Sequence, residues 1–130
     1  MTVYVCLDDR NGMLFNKRRQ SRDRAVLEDL RKAIPDVLTI DSFSEKLIQE
    51  AGISYALAGE DIPEAAHFFL EARPASTVVP LAATLVIYRW NRHYPADVRF
   101  DADLSGFVLQ STEDFAGTSH DTITKEVYVR

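Results

Sequence analysis

The chain has 130 residues, of which 46% are hydrophobic and 27% charged, and its formal net charge at pH 7 is −5. This composition is typical of one soluble domain, residues 1–130, and excludes a disordered chain. The acidic balance argues against a general nucleic-acid binder, and the lack of any apolar run near ~20 residues argues against a membrane partner. Because the first ten residues lack the features of a secretory signal, we expect a cytoplasmic protein.

The first third of the chain predicts a strand, a loop and a helix. Residues 2–7 are short, apolar and β-branched, which indicates a buried strand. Residues 13–20 are polar and basic and are interpreted as a long loop. Ser21 is a suitable N-cap for a helix over residues 22–33, whose apolar residues recur at helical spacing, and Pro35 ends it.

The middle of the chain continues the alternation of strands and helices. Residues 37–40 predict a short strand, residues 42–51 a helix that ends near Gly52, and residues 53–57 a third strand. A third helix is expected from about Glu60, with Pro63 tolerated in its first turn, and the segment Arg73-Pro74-Ala75-Ser76 ends it. The apolar face of this helix would consist of Ala65, Ala66, Phe69 and Leu70.

Three further strands are predicted, over residues 84–88, 107–111 and 123–129. Helices between strands imply right-handed crossovers and a mostly parallel sheet, while the last two strands, joined without a helix, imply an antiparallel end. The fold class is therefore α/β: a mixed, mostly parallel sheet of about six strands with about three helices and an antiparallel C-terminal end.

The basic segment over residues 17–24, KRRQSRDR, is the most unusual local feature. Arginine forks and the free N–H groups of a helix N-terminus suit phosphate or carboxylate, which favours a small anionic ligand. The same residues would also suit a solvated loop, with the arginines paired to Asp8, Asp9 and Asp23. A third interpretation is an RNA- or protein-interaction module.

Other polar and reactive residues give weaker signals. The aromatic loop at residues 90–95 could stack a heterocycle or cover the sheet edge. His67 and His120 could do acid–base chemistry, but neither has a partner at a telling spacing. Cys6 fits a small core residue, and no metal-ligand spacing is present, so we expect no metal.

Five stretches, in this order along the chain, resemble motifs of the dihydrofolate reductase family. They are residues 9–13 (DRNGM), 55–62 (YALAGEDI), 80–89 (PLAATLVIYR), 96–100 with 107–111 (ADVRF, FVLQS), and 123–128 (ITKEVY). The resemblance covers most of the chain and implies the fold of that family. It also implies a cleft at the carboxyl end of the first strand.

The resemblance also assigns site residues, several of which depart from the family. Ala58-Gly59 stands where the family has the Gly-Gly turn that approaches the cofactor pyrophosphate, and Pro63 stands where it has an aromatic residue. The pterin-binding carboxylate falls on Arg24 without a gap, so that only Asp23 or Asp29 could supply it. Tyr88 replaces the threonine that supports it.

A block between the family's second and third strands is also absent, which implies that the strand at residues 37–40 becomes the sheet edge. This new edge could pair with a second copy of the chain to form a homodimer, or it could be covered by the segment Arg73–Val79.

These observations favour a domain of this family that binds a small anionic or nucleotide-like molecule without reducing folate. Arg18, Arg19 and Arg22 would hold the anion, and Asp8 or Asp23 would orient it. The complete candidate ligand site is Asp8, Arg18, Arg19, Arg22, Asp23, Arg24 and Tyr88. The alternative enzyme is a minimal reductase that binds NADPH through Ala58 and Gly59; the cofactor itself is not fixed by the sequence.

Overall fold

Two β-branched apolar segments of the chain, β1 (Thr2–Leu7) and β7 (Thr84–Arg89), pair in parallel at the centre of the computed structural model, which describes residues 1–62 and 65–130. The other strands of the main sheet are β4 (Leu38–Ile40), β5 (Tyr55–Leu57), β6 (His67–Leu70), β9 (Val108–Phe115) and β10 (Ile123–Val129). The seven strands lie in the order β5-β4-β6-β1-β7-β10-β9.

The pairing directions confirm the predicted fold class. The neighbouring pairs from β5 through β7 are parallel, and β10 pairs antiparallel with both β7 and β9. The predicted strands at residues 84–88 and 123–129 coincide with β7 and β10, and residues 107–111 begin the longer β9. The sheet has one strand more than expected, because a segment interpreted as helix is a strand.

That segment lies in the third helix, predicted from about Glu60 as far as Arg73-Pro74, and this prediction was wrong. His67–Leu70 forms β6, which lies between β1 and β4 in parallel, with Val3 opposite Phe68 and Val5 opposite Leu70. Its apolar residues are buried in succession, as in a parallel strand covered on both faces, and a short apolar run of this kind cannot be distinguished from a helix by periodicity. The expectation for Pro63 lies outside the described residues.

The expected sheet edge was also wrong. The strand at residues 38–40, β4, has β6 on one side and β5 on the other, so the edge is β5. A three-residue edge strand limits pairing with other chains.

The polar loop predicted over residues 13–20 is a hairpin. Strands β2 (Gly12–Phe15) and β3 (Arg18–Arg19) pair antiparallel, and β2 also pairs with β8 (Val98–Arg99) in a second, three-stranded sheet. Asn16 and Lys17 connect β2 and β3 with φ of 52° and 61°, which is the backbone of a tight two-residue hairpin turn. The side chains of Met13 and Leu14 are buried, so this segment is anchored in the core.

The main sheet separates two apolar layers. Helices α1 (Arg24–Ala33) and α2 (Glu45–Glu50), the latter preceded by a 3₁₀ turn at Ser42–Ser44, cover the face that carries Tyr4. The 3₁₀ turns Ala75–Thr77 and Val79–Leu81 cover the face that carries Val3 and Val5. This alternation follows from the period of two in a strand. Within the described residues, no helix is long and apolar enough to cross a membrane.

Candidate functional site

A cleft lies at the carboxyl ends of β1 and β6, beside the N-terminus of α1, where the sequence predicted it. Cys6, Leu70, Asp23 and Trp90 are among the residues that line it. Its free volume is about 20 Å³, room for little more than one water molecule. The cleft is therefore narrow, and the side chains that fill it determine what it can bind.

An internal ion pair closes one side of this cleft. The Arg19 guanidinium donates two hydrogen bonds of 2.8 Å to the two carboxylate oxygens of Glu71. The Ser44 hydroxyl donates to the same carboxylate at 2.7 Å, and Arg19 lies over the Phe43 ring at 5.2 Å. Its hydrogen bonds to Glu71 raise the pKa of Arg19. A ligand anion would have to compete with Glu71 for this arginine.

The other three arginines of the basic segment lie on two different surfaces. Arg18 is exposed on β3, near Phe15 and Pro95. Arg22 and Arg24 are exposed at the start of α1, where they line a groove of about 490 Å³. The structure therefore brings Arg22 and Arg24 together and leaves Arg18 apart from them.

Asp8 shapes the turn that follows β1. Its Oδ1 accepts from the N–H groups of Gly12 and Arg10 at 2.7 and 2.9 Å, and its Oδ2 accepts from the Tyr94 N–H and the Gln20 amide, both at 3.1 Å. Burial acts to raise the pKa of Asp8, but these hydrogen bonds outweigh it, and the pKa is lowered. The carboxylate is thus ionised and fully engaged within the protein.

Asp23 is the N-cap of α1, a role that the sequence analysis gave to Ser21. Its Oδ1 accepts from the Ala25 N–H at 2.9 Å and from the Thr118 N–H and hydroxyl at 2.9 and 3.0 Å. Its Oδ2 accepts from the Ser119 N–H at 2.8 Å and faces His120 Nδ1 at 2.9 Å. Although burial acts to raise the pKa of Asp23, these hydrogen bonds lower it strongly.

The imidazole of His120 links Asp23 to two hydroxyl groups. Its Nε2 lies 2.8 Å from the Tyr94 hydroxyl and 3.2 Å from Ser21 Oγ. The ring is buried and stacks on Trp90, with centroids 4.7 Å apart and planes 19° apart. The sequence singled out His120 and Asp23 separately but did not connect them, since they are 97 positions apart. The polar run GTSH at residues 117–120 was the available signal.

Tyr88 and Asp29 form a separate polar contact. The buried Tyr88 hydroxyl donates to Asp29 Oδ2 at 2.7 Å, and Lys125 Nζ lies 2.8 Å from the same oxygen. Burial and the Asp29 carboxylate raise the pKa of Tyr88. Of the two acids that the sequence left open, Asp23 lines the cleft, while Asp29 is engaged with Tyr88 and Lys125.

Ala58 and Gly59 follow the edge strand β5, so that β4 and β6 separate them from β1. The Gly59 carbonyl accepts from Arg73 Nη2 at 2.7 Å, and the Ala58 N–H donates to the Ile40 carbonyl at 2.8 Å. The expected helix does not begin here: residues 60–62 and 65–66 are non-helical. This turn therefore lies away from the cleft.

The cleft also contains the only cysteine of the chain, Cys6. Burial raises the pKa of its thiol, which disfavours the thiolate and thus a nucleophilic role. In the part of the chain that the structure describes, no three His, Cys, Asp or Glu side chains cluster in a way that could hold a metal ion.

No family model matches the sequence, and no curated protein matches it either. The chain is similar in structure to dihydrofolate reductase from Enterococcus faecalis, solved in complex with NADP(H) and RAB-propyl. The match covers 99% of this chain and 95% of that one, with 11% sequence identity and a TM-score of 0.67. At this identity the likeness establishes the fold alone, and the fold is dihydrofolate reductase-like.

Proposed function

We propose that this protein binds a small anionic, nucleotide-like molecule and does not reduce folate. The proposal that the protein does not reduce folate rests on the free volume of the cleft, about 20 Å³. Pockets for ring-containing ligands are typically on the order of 300–1,000 Å³. A pterin could enter only if the pair between Arg19 and Glu71 separated and the ring of Trp90 moved.

The carboxylates near the cleft support the same conclusion. A pterin needs a carboxylate with free acceptor positions to bind its amidine-like edge. Asp23 already has five hydrogen-bond partners in the protein. Asp29 is engaged with Tyr88 and Lys125.

The groove at the start of α1 is the proposed anion site. Arg22 and Arg24 line it together with Thr118 and Ser119, and its volume is about 490 Å³. The acids nearby are already paired: Glu28 with Arg31, and Glu50 loosely with Arg22 at 3.6 Å. Arg24 has no ion-pair partner among residues 1–62 and 65–130. Two exposed guanidinium groups beside two residues with hydroxyl side chains suit a phosphate or carboxylate group.

A thermal-shift titration of the full chain with ATP, inorganic phosphate, NADPH and folate at fixed salt tests this proposal. We expect a saturable rise in Tm with ATP or phosphate, since a ligand at ~100 times its Kd stabilises the native state by about 2.7 kcal/mol. The double variant Arg22→Ala/Arg24→Ala should lose this shift. Arg18→Ala, which removes an exposed arginine of the same basic segment from another surface, should retain it.

Two results would contradict the proposal. A saturable shift with NADPH and folate, and none with ATP or phosphate, would favour the minimal reductase. Binding of RNA instead, with an affinity that falls steeply as salt is added, would favour an RNA-interaction module.

A further inference from the structure

We propose that Ser21, His120 and Asp23 form a nucleophilic triad that hydrolyses short-chain esters. The three side chains make one continuous chain of contacts: Asp23 Oδ2 to His120 Nδ1 at 2.9 Å, and His120 Nε2 to Ser21 Oγ at 3.2 Å. These distances are those of a nucleophile, its general base and the group that orients the base. The contacts join Ser21 and Asp23, near the start of the chain, to His120, near its end.

The hydrogen-bond pattern assigns the tautomer of the imidazole. Asp23 is ionised, because its hydrogen bonds lower its pKa, and a carboxylate only accepts. His120 Nδ1 must therefore carry the hydrogen that lies against Asp23 Oδ2. In the neutral ring the other nitrogen, Nε2, then presents its single lone pair to two hydroxyl groups, that of Tyr94 at 2.8 Å and that of Ser21 at 3.2 Å. It accepts from one of them at a time, and it acts as a general base while it accepts from Ser21.

The surroundings hold this arrangement rigidly. Asp23 is fixed by N–H groups from Ala25, Thr118 and Ser119, so its carboxylate cannot rotate away from His120. The imidazole is stacked on Trp90. Such support, on both the acid and the ring, is more than a helix N-cap needs, because an N-cap requires only an acceptor for the first N–H groups.

The location of Ser21 indicates the class of substrate. Ser21 is partly exposed and lines the cleft beside the apolar side chains of Val26, Leu27 and Phe69. Because the cleft has room for little more than one water molecule, even the shortest acyl group, acetyl, enters it only when neighbouring side chains move aside, and longer acyl groups are excluded. Arg22 lines both the cleft and the neighbouring groove, so the alcohol part of the ester would carry a phosphate or carboxylate. This last assignment rests on the proposed anion site, whereas the nucleophile does not.

The reaction balances without a redox partner. Ser21 Oγ bonds to the ester carbonyl carbon while its proton passes to His120 Nε2. The tetrahedral intermediate then breaks its bond to the alcohol oxygen, which takes that proton and leaves an acyl group on Ser21. Water attacks the acyl carbon and gives a proton to His120, which returns it to Ser21 Oγ as the carboxylic acid departs.

Tyr94 is placed to assist this step. Its hydroxyl lies 3.3 Å from Ser21 Oγ and 2.8 Å from His120 Nε2. When His120 takes the proton of Ser21, Nε2 no longer accepts from Tyr94. The hydroxyl is then free to donate to the developing oxyanion, a role that tyrosine hydroxyls fill in other active sites.

Covalent labelling of the full chain with a fluorophosphonate tests the nucleophile directly. Intact mass and peptide mapping should show one adduct, on Ser21, which is absent in Ser21→Ala and reduced at least ~100-fold in rate in His120→Gln. Ser111→Ala, which alters an exposed serine on β9, should label like the wild type. In parallel, the wild type should hydrolyse 4-nitrophenyl acetate and, with a lower KM, 4-acetoxybenzoate. Ser21→Ala should lower kcat by ~10³-fold or more.

The outcomes separate this inference from the proposed anion site. A folded wild type without an adduct on Ser21, or labelling that is unchanged in folded His120→Gln, would overturn the triad. Labelling of Ser21 without any thermal shift by ATP or phosphate would support the triad and contradict the anion site. If the wild type gave neither an adduct nor hydrolysis, while both the wild type and Ser21→Ala showed the thermal shift with ATP or phosphate, then the triad would be contradicted and the anion site supported.

Discussion

Asp8 and Asp23 are two buried carboxylates at the same end of the sheet, and both are saturated with hydrogen bonds. All the donors to Asp8 are amides, from the backbone or from Gln20, so the network ends there. One partner of Asp23 is the imidazole of His120, whose second nitrogen faces two hydroxyl groups. Because both carboxylates accept several hydrogen bonds, the number of bonds does not distinguish Asp8, which is structural, from Asp23, which we propose to be part of a triad. The identity of the donors does distinguish them, since only Asp23 contacts a histidine.

The sharpest test of this difference is to make the same change at both positions. In Asp23→Asn one carboxylate oxygen becomes an NH₂ group, which would face hydrogen-bond donors without being able to accept from them. His120 would also lose its anionic partner. We expect a ~10⁴-fold fall in the rate of Ser21 labelling and a loss of about 3–5 kcal/mol in the free energy of unfolding. Asp8→Asn should lose about 2–3 kcal/mol and label at a rate within a few-fold of the wild type.

Labelling rates and urea unfolding curves of the two variants provide the measurement. Equal losses of labelling in both variants would contradict the distinction, because they would mean that general destabilisation controls the reactivity of Ser21.

The glycines that pack against the two carboxylates give the next largest expected effect. A Cβ on Gly117 would lie 2.5 Å from the His120 carbonyl oxygen and 2.7 Å from Asp23 Oδ2. A Cβ on Gly12 would lie 2.5 Å from Gln20 Nε2, the mobile end of a side chain. We expect Gly117→Ala to cost about 2–3 kcal/mol and Gly12→Ala about 1–2 kcal/mol, measured as shifts of the urea midpoint at constant m.

If Gly12→Ala proved the more costly, then the turn around Asp8 would be the more rigid of the two. The contact with Ala96 Cβ at 2.8 Å, rather than the displaceable Gln20 amide, would then decide the energy.

Acid should weaken both carboxylate networks in the same direction. The pKa of each acid is lowered in the folded state, whereas an unfolded aspartate titrates near about 3.9. As the pH falls, the unfolded chain binds protons first, so the stabilisation is complete above about pH 5 and is lost through pH 4 and below. Unfolding free energies measured from pH 7 to 3 should fall, and should fall less in Asp23→Asn than in the wild type. A free energy that stayed constant over this range would refute the ionised networks.

The smallest effects are expected at the exposed arginines of the groove. Arg22 and Arg24 are exposed, and the pair between Arg22 and Glu50 is 3.6 Å long. Arg22→Ala and Arg24→Ala should therefore change the free energy of unfolding by less than about 1 kcal/mol in urea titrations. A larger loss in either variant would show that these arginines stabilise the fold, which would contradict a role confined to ligand binding.

The sequence predicted the elements whose pattern is strong and local. α1 and β10 have a clear periodicity, β1 and β7 are β-branched apolar runs, and the order of these elements was enough for the fold class. β6 was missed, because a buried parallel strand has no alternation and its four residues can equally form a helical face. The hairpin at residues 12–19 was missed because Lys17 stands where a tight two-residue turn usually has glycine, although Asn16 suits its first position.

The site was harder to predict than the fold for a different reason. Its components are brought together by tertiary contacts, and no local pattern connects Asp23 with His120. The charge pattern drew attention to Arg19, but a charge pattern cannot show that Glu71 already holds it. Buried hydrogen bonds depend on the packed state, so they become visible only once the chain is folded.

The single cysteine of the chain, Cys6, lines the cleft, and its rate of alkylation can be used to follow access to the cleft. Cys6 is only partly buried, so the rate at which a thiol reagent alkylates it reports how accessible the cleft is. Because the chain has one thiol, that rate needs no mutagenesis to interpret. A ligand that occupies the open cleft would slow alkylation, whereas one that binds only in the outer groove would leave it unchanged.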